Sequence, residues 1–243
     1  MAAFGTLPSL YTGRLWGHID AIVVRGGGGP VAGPLIGGAV RSLTAVGAVD
    51  TSVALPEGQD AVERASRAHG YGDEELRLFV LVEPSMVPMA RHRGDVEVRA
   101  ASPRDAGMIE ALVRLFADEY GEPSAADAAS VLRYLRTGRV GALVASLGHE
   151  PVGLLAFSTS YHPSFGRCAT IDDLVVSRTA RRRGVASALL DQALGRARAA
   201  GAARAHLWLQ PGNGAAEALY RSRGFRESGK VLVRHAGSPP VQR

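Results

Sequence analysis

Residues 170–187, TIDDLVVSRTARRRGVAS, are the stretch on which the fold turns. The run opens as a β-branched strand ending near Val176, crosses a short loop and enters a helix around Ala186. The first backbone N–H groups of a helix lack an intrahelical partner and carry partial positive charge, so such a junction holds anions. Gly184 lets an anion come close to the backbone, Ala186 is small enough not to clash, and Arg181, Arg182 and Arg183 add charge. The junction reads as a pyrophosphate cradle. No Gly-Lys-Ser/Thr follows, so it is not a Walker loop.

Upstream, "VEVRA" (96–100) reads as a strand. Ser102-Pro103-Arg104-Asp105 then opens a helix: Ser102 can cap it, Pro103 suits its first position and Asp105 favours its positive end. Met108, Ile109, Leu112, Val113 and Phe116 follow at helical spacing. A second helix is expected over about 125–137, then two strands, "GALVASL" and "PVGLLAFSTS", joined by a Gly-His-Glu-Pro turn. Asp118, Glu119 and Glu122 lie between the two helices and read as a solvated acidic turn, with attraction of a cationic amine as the alternative.

The chain repeats itself. Residues 30–71 lie over 184–225 at a constant offset of 154, with 13 identities in 42 positions, and "IDAIVV" (19–24) echoes "IDDLVV" (171–176). In the first copy Gly27 stands opposite Arg181, Pro30 opposite Gly184 and Ser66 opposite Tyr220. Pro30 lacks the N–H that a cradle needs. The glycine run in "VRGGGGPVAG" (24–33) invites a dinucleotide fingerprint at Gly27, Gly29 and Ala32, with Asp50 as the ribose acid. Against it, Asp50 precedes the next apolar run, "TSVAL", and a lone G-x-G-x-x-A is weak in a chain of 30 glycines.

Composition bounds the rest. The 243 residues suffice for one large or two small domains, and 46% hydrophobic with 21% charged is ordinary globular material. Apolar runs are broken well short of the roughly 18–20 residues that span a bilayer, and no signal peptide is read, so neither membrane partner nor export is expected. The net charge of +5 is spread among acids, which argues against a nucleic-acid partner. A single cysteine, Cys168, allows no internal disulfide and fits a cytoplasmic setting. Nothing suggests a metal site.

R-x-x-G-x-A after a strand, then N-x-x-A-x-x-L-Y at Asn213, Ala216, Leu219 and Tyr220, then Gly224-Phe225, resembles the GNAT superfamily of acyl-CoA-dependent N-acyltransferases. The resemblance covers roughly 95–235. It implies an α/β (α+β) fold with a mixed, mostly antiparallel sheet flanked by helices. It also implies acetyl-CoA as cosubstrate, its pyrophosphate held by Arg181, Arg182, Arg183, Gly184, Val185, Ala186 and Ser187. Its pantetheine arm would pair with the backbone of Leu174, Val175 and Val176 and contact Asn213. By the same resemblance Tyr220, protonated at neutral pH, donates to the CoA sulfur. Asp172 or Asp173 takes the amine proton, and the resemblance favours Asp172. Side chains alternate along a strand, so the two acids are expected on opposite faces.

The chain is therefore expected to hold a degenerate partial GNAT-like module at 1–84, a linker at 85–94, a catalytic domain at 95–236 and a tail at 237–243. The expected reaction is N-acetylation of a small primary amine by direct attack. A protein N-acetyltransferase and a non-catalytic acyl-CoA-binding module are the alternatives. A monomer with an internal pseudo-dimer and a homodimer both remain open.

Overall fold

The computed structural model describes residues 2–8, 15–22, 29–48, 50–55, 59–82, 95–120, 124, 126–136, 140–162 and 166–234. Residues 23–28, with Gly26, Gly27 and Gly28 of the glycine run, and the expected linker and tail lie outside them. The described elements are β1 (Ala2–Pro8), β2 (Leu15–Ile22), α1 (Gly29–Ala45), β3 (Asp50–Leu55), α2 (Asp60–Ala68), β4 (Asp73–Leu81) and β5 (Val96–Ala100). There follow α3 (Ala106–Tyr120), α4 (Ala128–Arg136), β6 (Val140–Leu147), β7 (Glu150–His162) and β8 (Gly166–Val176). The chain ends with α5 (Val185–Ala199), β9 (Arg204–Leu209), α6 (Gly214–Arg221) and β10 (Arg226–Arg234). No described helix is long and apolar enough to cross a membrane.

Two compact units form. The first joins the described residues up to Phe79 to those from Trp208 onward. Its strands run β1-β2-β3-β10-β4, with β2 and β3 parallel and the rest antiparallel. Strand β10 thus lies between two strands from the other end of the chain. It pairs with β3 from Lys230 opposite Leu55 to Arg234 opposite Thr51, and with β4 on its other edge. The core of this unit packs Ala32, Ile36, Ala39 and Leu43 of α1 on Val53 and Leu55 of β3 and on Val62 and Tyr71. Compactness therefore does not follow the chain positions 84 and 95: the part of the expected catalytic segment from Trp208 onward clusters with the N-terminal residues.

The second unit, Val80–Leu207, has strand order β9-β8-β7-β6-β5, with β8 and β9 parallel and the others antiparallel. Helices α3 and α4 cover one face. Ile109, Leu112, Val113 and Phe116 of α3 and Val131 and Tyr134 of α4 pack on Ala142, Val144, Leu154 and Ala156. Helix α5 covers the other face, so closely that a Cβ on Gly153 would come within 2.8 Å of Val185. At the entry to α3, Ser102 and Asp105 form a capping box that the sequence reading does not anticipate as such: Asp105 Oδ2 accepts from the Ser102 N–H at 2.7 Å and from its hydroxyl at 2.9 Å. Arg99 beside Asp105 holds that carboxyl well below the usual carboxylate range. Helix α4 starts at Ala128, later than expected, because Asp127 caps it through the Ser130 N–H at 2.7 Å.

The elements keep the offset of the repeat. Strand β3 and β9 begin and end 154 residues apart, α1 and α5 end 154 apart, and α2 and α6 begin 154 apart. Gly47 and Gly201, and Gly70 and Gly224, take left-handed φ at corresponding helix exits.

Candidate active site

The second unit brings most of the expected residues together. Strand β8 pairs with β9 only from Cys168 opposite Arg204 to Ile171 opposite Leu207. Beyond that ladder β8 runs on through Asp172, Asp173, Leu174, Val175 and Val176, paired on its β7 edge. The chain then turns through Arg181–Gly184 into α5.

The turn is tightly made. Arg182 (φ 65°) and Gly184 (φ 84°) both take left-handed backbone, which only glycine adopts without strain. A Cβ on Gly184 would meet nothing within 4 Å, so the residue type is set by backbone angle and the space above it is open. The first intrahelical bond of α5 is Ala188 N–H to Gly184 O at 2.9 Å. The N–H groups of Val185, Ala186 and Ser187 precede it, and no side chain caps the helix. Open space over unspent amides fits a diphosphate. The β8 edge beyond Ile171, which has no ladder among the described residues, fits an amide-bearing arm such as pantetheine.

The arginines divide their work. Arg181 Nε donates to the Val176 carbonyl at 3.1 Å, and its Nη2 lies 3.4 Å from Glu119 Oε2. Glu119, at the end of α3, also accepts from the Arg178 N–H at 3.0 and 3.2 Å, and its backbone carbonyl accepts from the Arg178 guanidinium. The reading of Glu119 as a solvated turn is thereby corrected: it ties the cradle loop to α3. Glu122 lies outside the described residues. Arg181 is spent on shaping the loop, whereas Arg182 and Arg183 are exposed and form no ion pair among the described residues.

The two acids depart from strand alternation. The β7–β8 register runs Leu155 opposite Leu174 and Ala156 opposite Asp173, then jumps to Phe157 opposite Ile171. Asp172 is the extra residue of a β-bulge. Residues opposite one another share a sheet face. Asp173, opposite Ala156, therefore belongs to the α3/α4 face. Asp172 reaches the same face, since its Oδ1 accepts from Ser158 Oγ at 3.1 Å and Ser158 lies two residues along from Ala156. The expectation of opposite faces fails because a bulge breaks the two-residue period.

Oδ2 of Asp172 is buried and takes no hydrogen bond among the described residues. Burial pushes this carboxyl well above the ordinary range, the charge of Asp173 adds to the rise, and the Ser158 bond opposes it. Burial lifts Asp173 to about 6. Tyr134 of α4 is also pushed up, first by burial and then by the charges of Asp172 and Asp173. Neither Ser158 nor Tyr134 carries a motif by which the sequence could have marked it.

Asn213 and Tyr220 belong to the first unit. Asn213 caps α6, its Oδ1 accepting from the Ala216 N–H at 3.2 Å, so contact with another group falls to its amide N–H₂. Tyr220 is buried and packs against Phe225 with ring centres 5.6 Å apart. Cys168 is buried on β8, as a small core residue.

A mixed sheet with helices on both faces, a bulged strand and a helix entry with no side-chain cap are the features against which the comparisons are set. A family model described as Acetyltransferase (GNAT) family matches residues 109–225, and this part of the chain belongs to that family. It is an acetyl-CoA-dependent acetyltransferase.

Among solved structures, a GCN5-related N-acetyltransferase from Sphaerobacter thermophilus covers 100% of this chain and 78% of its own at 17% identity, with a TM-score of 0.58. The fold thus extends over the whole length. An aminoglycoside acetyltransferase from an uncultured soil metagenomic sample covers 53% of this chain and 86% of its own at 21% identity, TM-score 0.49. A ribosomal-protein-alanine N-acetyltransferase from Brucella melitensis biovar Abortus 2308 covers 52% and 89% at 23% identity, TM-score 0.45. No curated protein matches the sequence.

Proposed function

We propose that the protein acetylates the primary amine of a small molecule by direct attack, with Asp172 as general base and Tyr220 as general acid. The observation that carries this reading is the bulge, which offers a buried carboxylate oxygen with no hydrogen bond among the described residues. Acetyl-CoA supplies an activated acetyl thioester. An amine with a lysine-like pKa of about 10.4 arrives protonated and must lose that proton before it attacks. Asp172 removes it, and the raised carboxyl pKa narrows the gap that the transfer must cross. The nitrogen lone pair forms the C–N bond, the C–S bond breaks, and the Tyr220 hydroxyl protonates the departing sulfur; the second proton leaves the new amide nitrogen to solvent, from which the tyrosine is reprotonated. Arg182, Arg183 and the amides of Val185, Ala186 and Ser187 hold the diphosphate; Leu174 to Val176 and Asn213 hold the arm. Asp173, on the same face, attracts the ammonium group.

The test is thiol release from acetyl-CoA across polyamines, aminoglycosides, amino acids and peptides. Tyr220→Phe is expected to lower kcat at least tenfold on the best acceptor while acetyl-CoA affinity changes little. An unchanged kcat removes Tyr220 as the acid, and turnover of peptides alone turns the reading to a protein acetyltransferase.

Residues 1–84 form, in the same proposal, a degenerate GNAT-like module that binds no CoA, and 95–236 carry catalysis. Supporting this, the elements keep the 154-residue offset while Pro30 stands where Gly184 stands. Titration with acetyl-CoA is expected to give one site per chain. Two equivalent sites would sink the idea.

A further inference from the structure

The α3/α4 face of β7 is apolar through Leu154 and Ala156 and then changes to Ser158, which is 1% exposed. A hydroxyl buried in such a face is costly unless it is hydrogen-bonded. Ser158 stands opposite Thr170, but the Thr170 hydroxyl is engaged with His206 Nε2 at 2.9 Å. The Ser158 hydroxyl instead reaches past the regular ladder to the bulged residue and donates to Asp172 Oδ1 at 3.1 Å. One carboxylate oxygen is thereby fixed, and the other is buried with no hydrogen bond among the described residues.

We propose that Ser158 is a positioning residue for acetyl transfer, pinning Oδ1 of Asp172 so that Oδ2 receives the amine proton. This rests on Asp172 being the base. The groups around that carboxyl are few. Asp173 comes from its own strand and Tyr134 from α4, while His206 of β9 stands one residue pair away on Thr170. Helix α3 presents Val113 and Phe116 to this face, both apolar. Because the Ser158 bond favours the charged carboxylate, its loss raises the pH at which the base becomes active.

The experiment is the pH profile of kcat/KM for the amine in wild type, Ser158→Ala, Ser158→Thr and Asp172→Asn. Ser158→Ala is expected to move the acid limb upward by about one pH unit, on the scale of a hydrogen bond to a charged group, and to lose roughly tenfold below the limb. KM for acetyl-CoA stays unchanged. Ser158→Thr keeps the hydroxyl and is expected to keep the wild-type limb. Ser158→Cys, a weak donor close in volume, carries the same test should the alanine variant fold poorly. A limb abolished in Asp172→Asn but unmoved in Ser158→Ala and Ser158→Cys overturns the positioning role alone. A limb retained in Asp172→Asn overturns the base assignment and the positioning role with it.

Discussion

Asp172→Asn is expected to lower kcat/KM for the amine by about 10²–10⁴-fold, the range that a positioned general base contributes. KM for acetyl-CoA should hold, because the cradle and the open strand edge are untouched. The same substitution is expected to make the protein more heat-stable as pH rises. The folded-state pKa of Asp172 is raised above its unfolded value, and so is that of Asp173. In the window between the two values the native state binds more protons than the unfolded chain, so stability falls with rising pH. For Asp173 that window runs from the ordinary carboxylate range to about 6; for Asp172 it starts in the same place. Asparagine cannot ionise and removes the Asp172 share of the loss. Calorimetry from pH 4 to 8 should therefore show the Tm difference, variant minus wild type, growing with pH. A variant that keeps its rate, or one whose Tm difference shrinks as pH rises, contradicts the assignment.

The second large effect concerns the chain as a whole. Both neighbours of β10, namely β3 and β4, come from the first 84 residues. A fragment beginning at Asp95 would keep β10 but lose every hydrogen-bonded partner described for it. It would also expose the edge that β3 and β4 cover. Such a fragment is expected to lack a cooperative unfolding transition and to have no measurable acetyl transfer, although it contains all the proposed site residues. Circular dichroism melting and the thiol-release assay check this together. Cooperative melting with wild-type kcat in the fragment would establish an autonomous domain at 95–236.

Local chemistry was legible where one stretch of chain makes its own structure. Ser102 and Asp105 mark the entry to α3, and Gly184 marks a backbone angle that other residues resist. The offset of 154 likewise needs only one chain compared with itself. What lay hidden depends on residues distant in sequence. Alternation was the right rule for β8 except at Asp172, where one residue was added without any change of residue type. Glu119 looked like solvated charge because its partners, Arg178 and Arg181, are 59 and 62 residues away. The partner choice of β10 was equally hidden, since strand edges are chemically alike and one β-branched run pairs as well as another.

The place of β10 sets a timetable for synthesis. Its neighbours β3 and β4 leave the ribosome early, but the strand that lies between them is the last described element to be made. Roughly 150 residues separate the end of β4 from the start of β10, which at about 5–20 residues per second is on the order of ten to thirty seconds of translation. Through that interval the nascent chain holds two strand edges without their native partner. Until β10 has been made, something other than the finished sheet has to keep those edges apart from other chains.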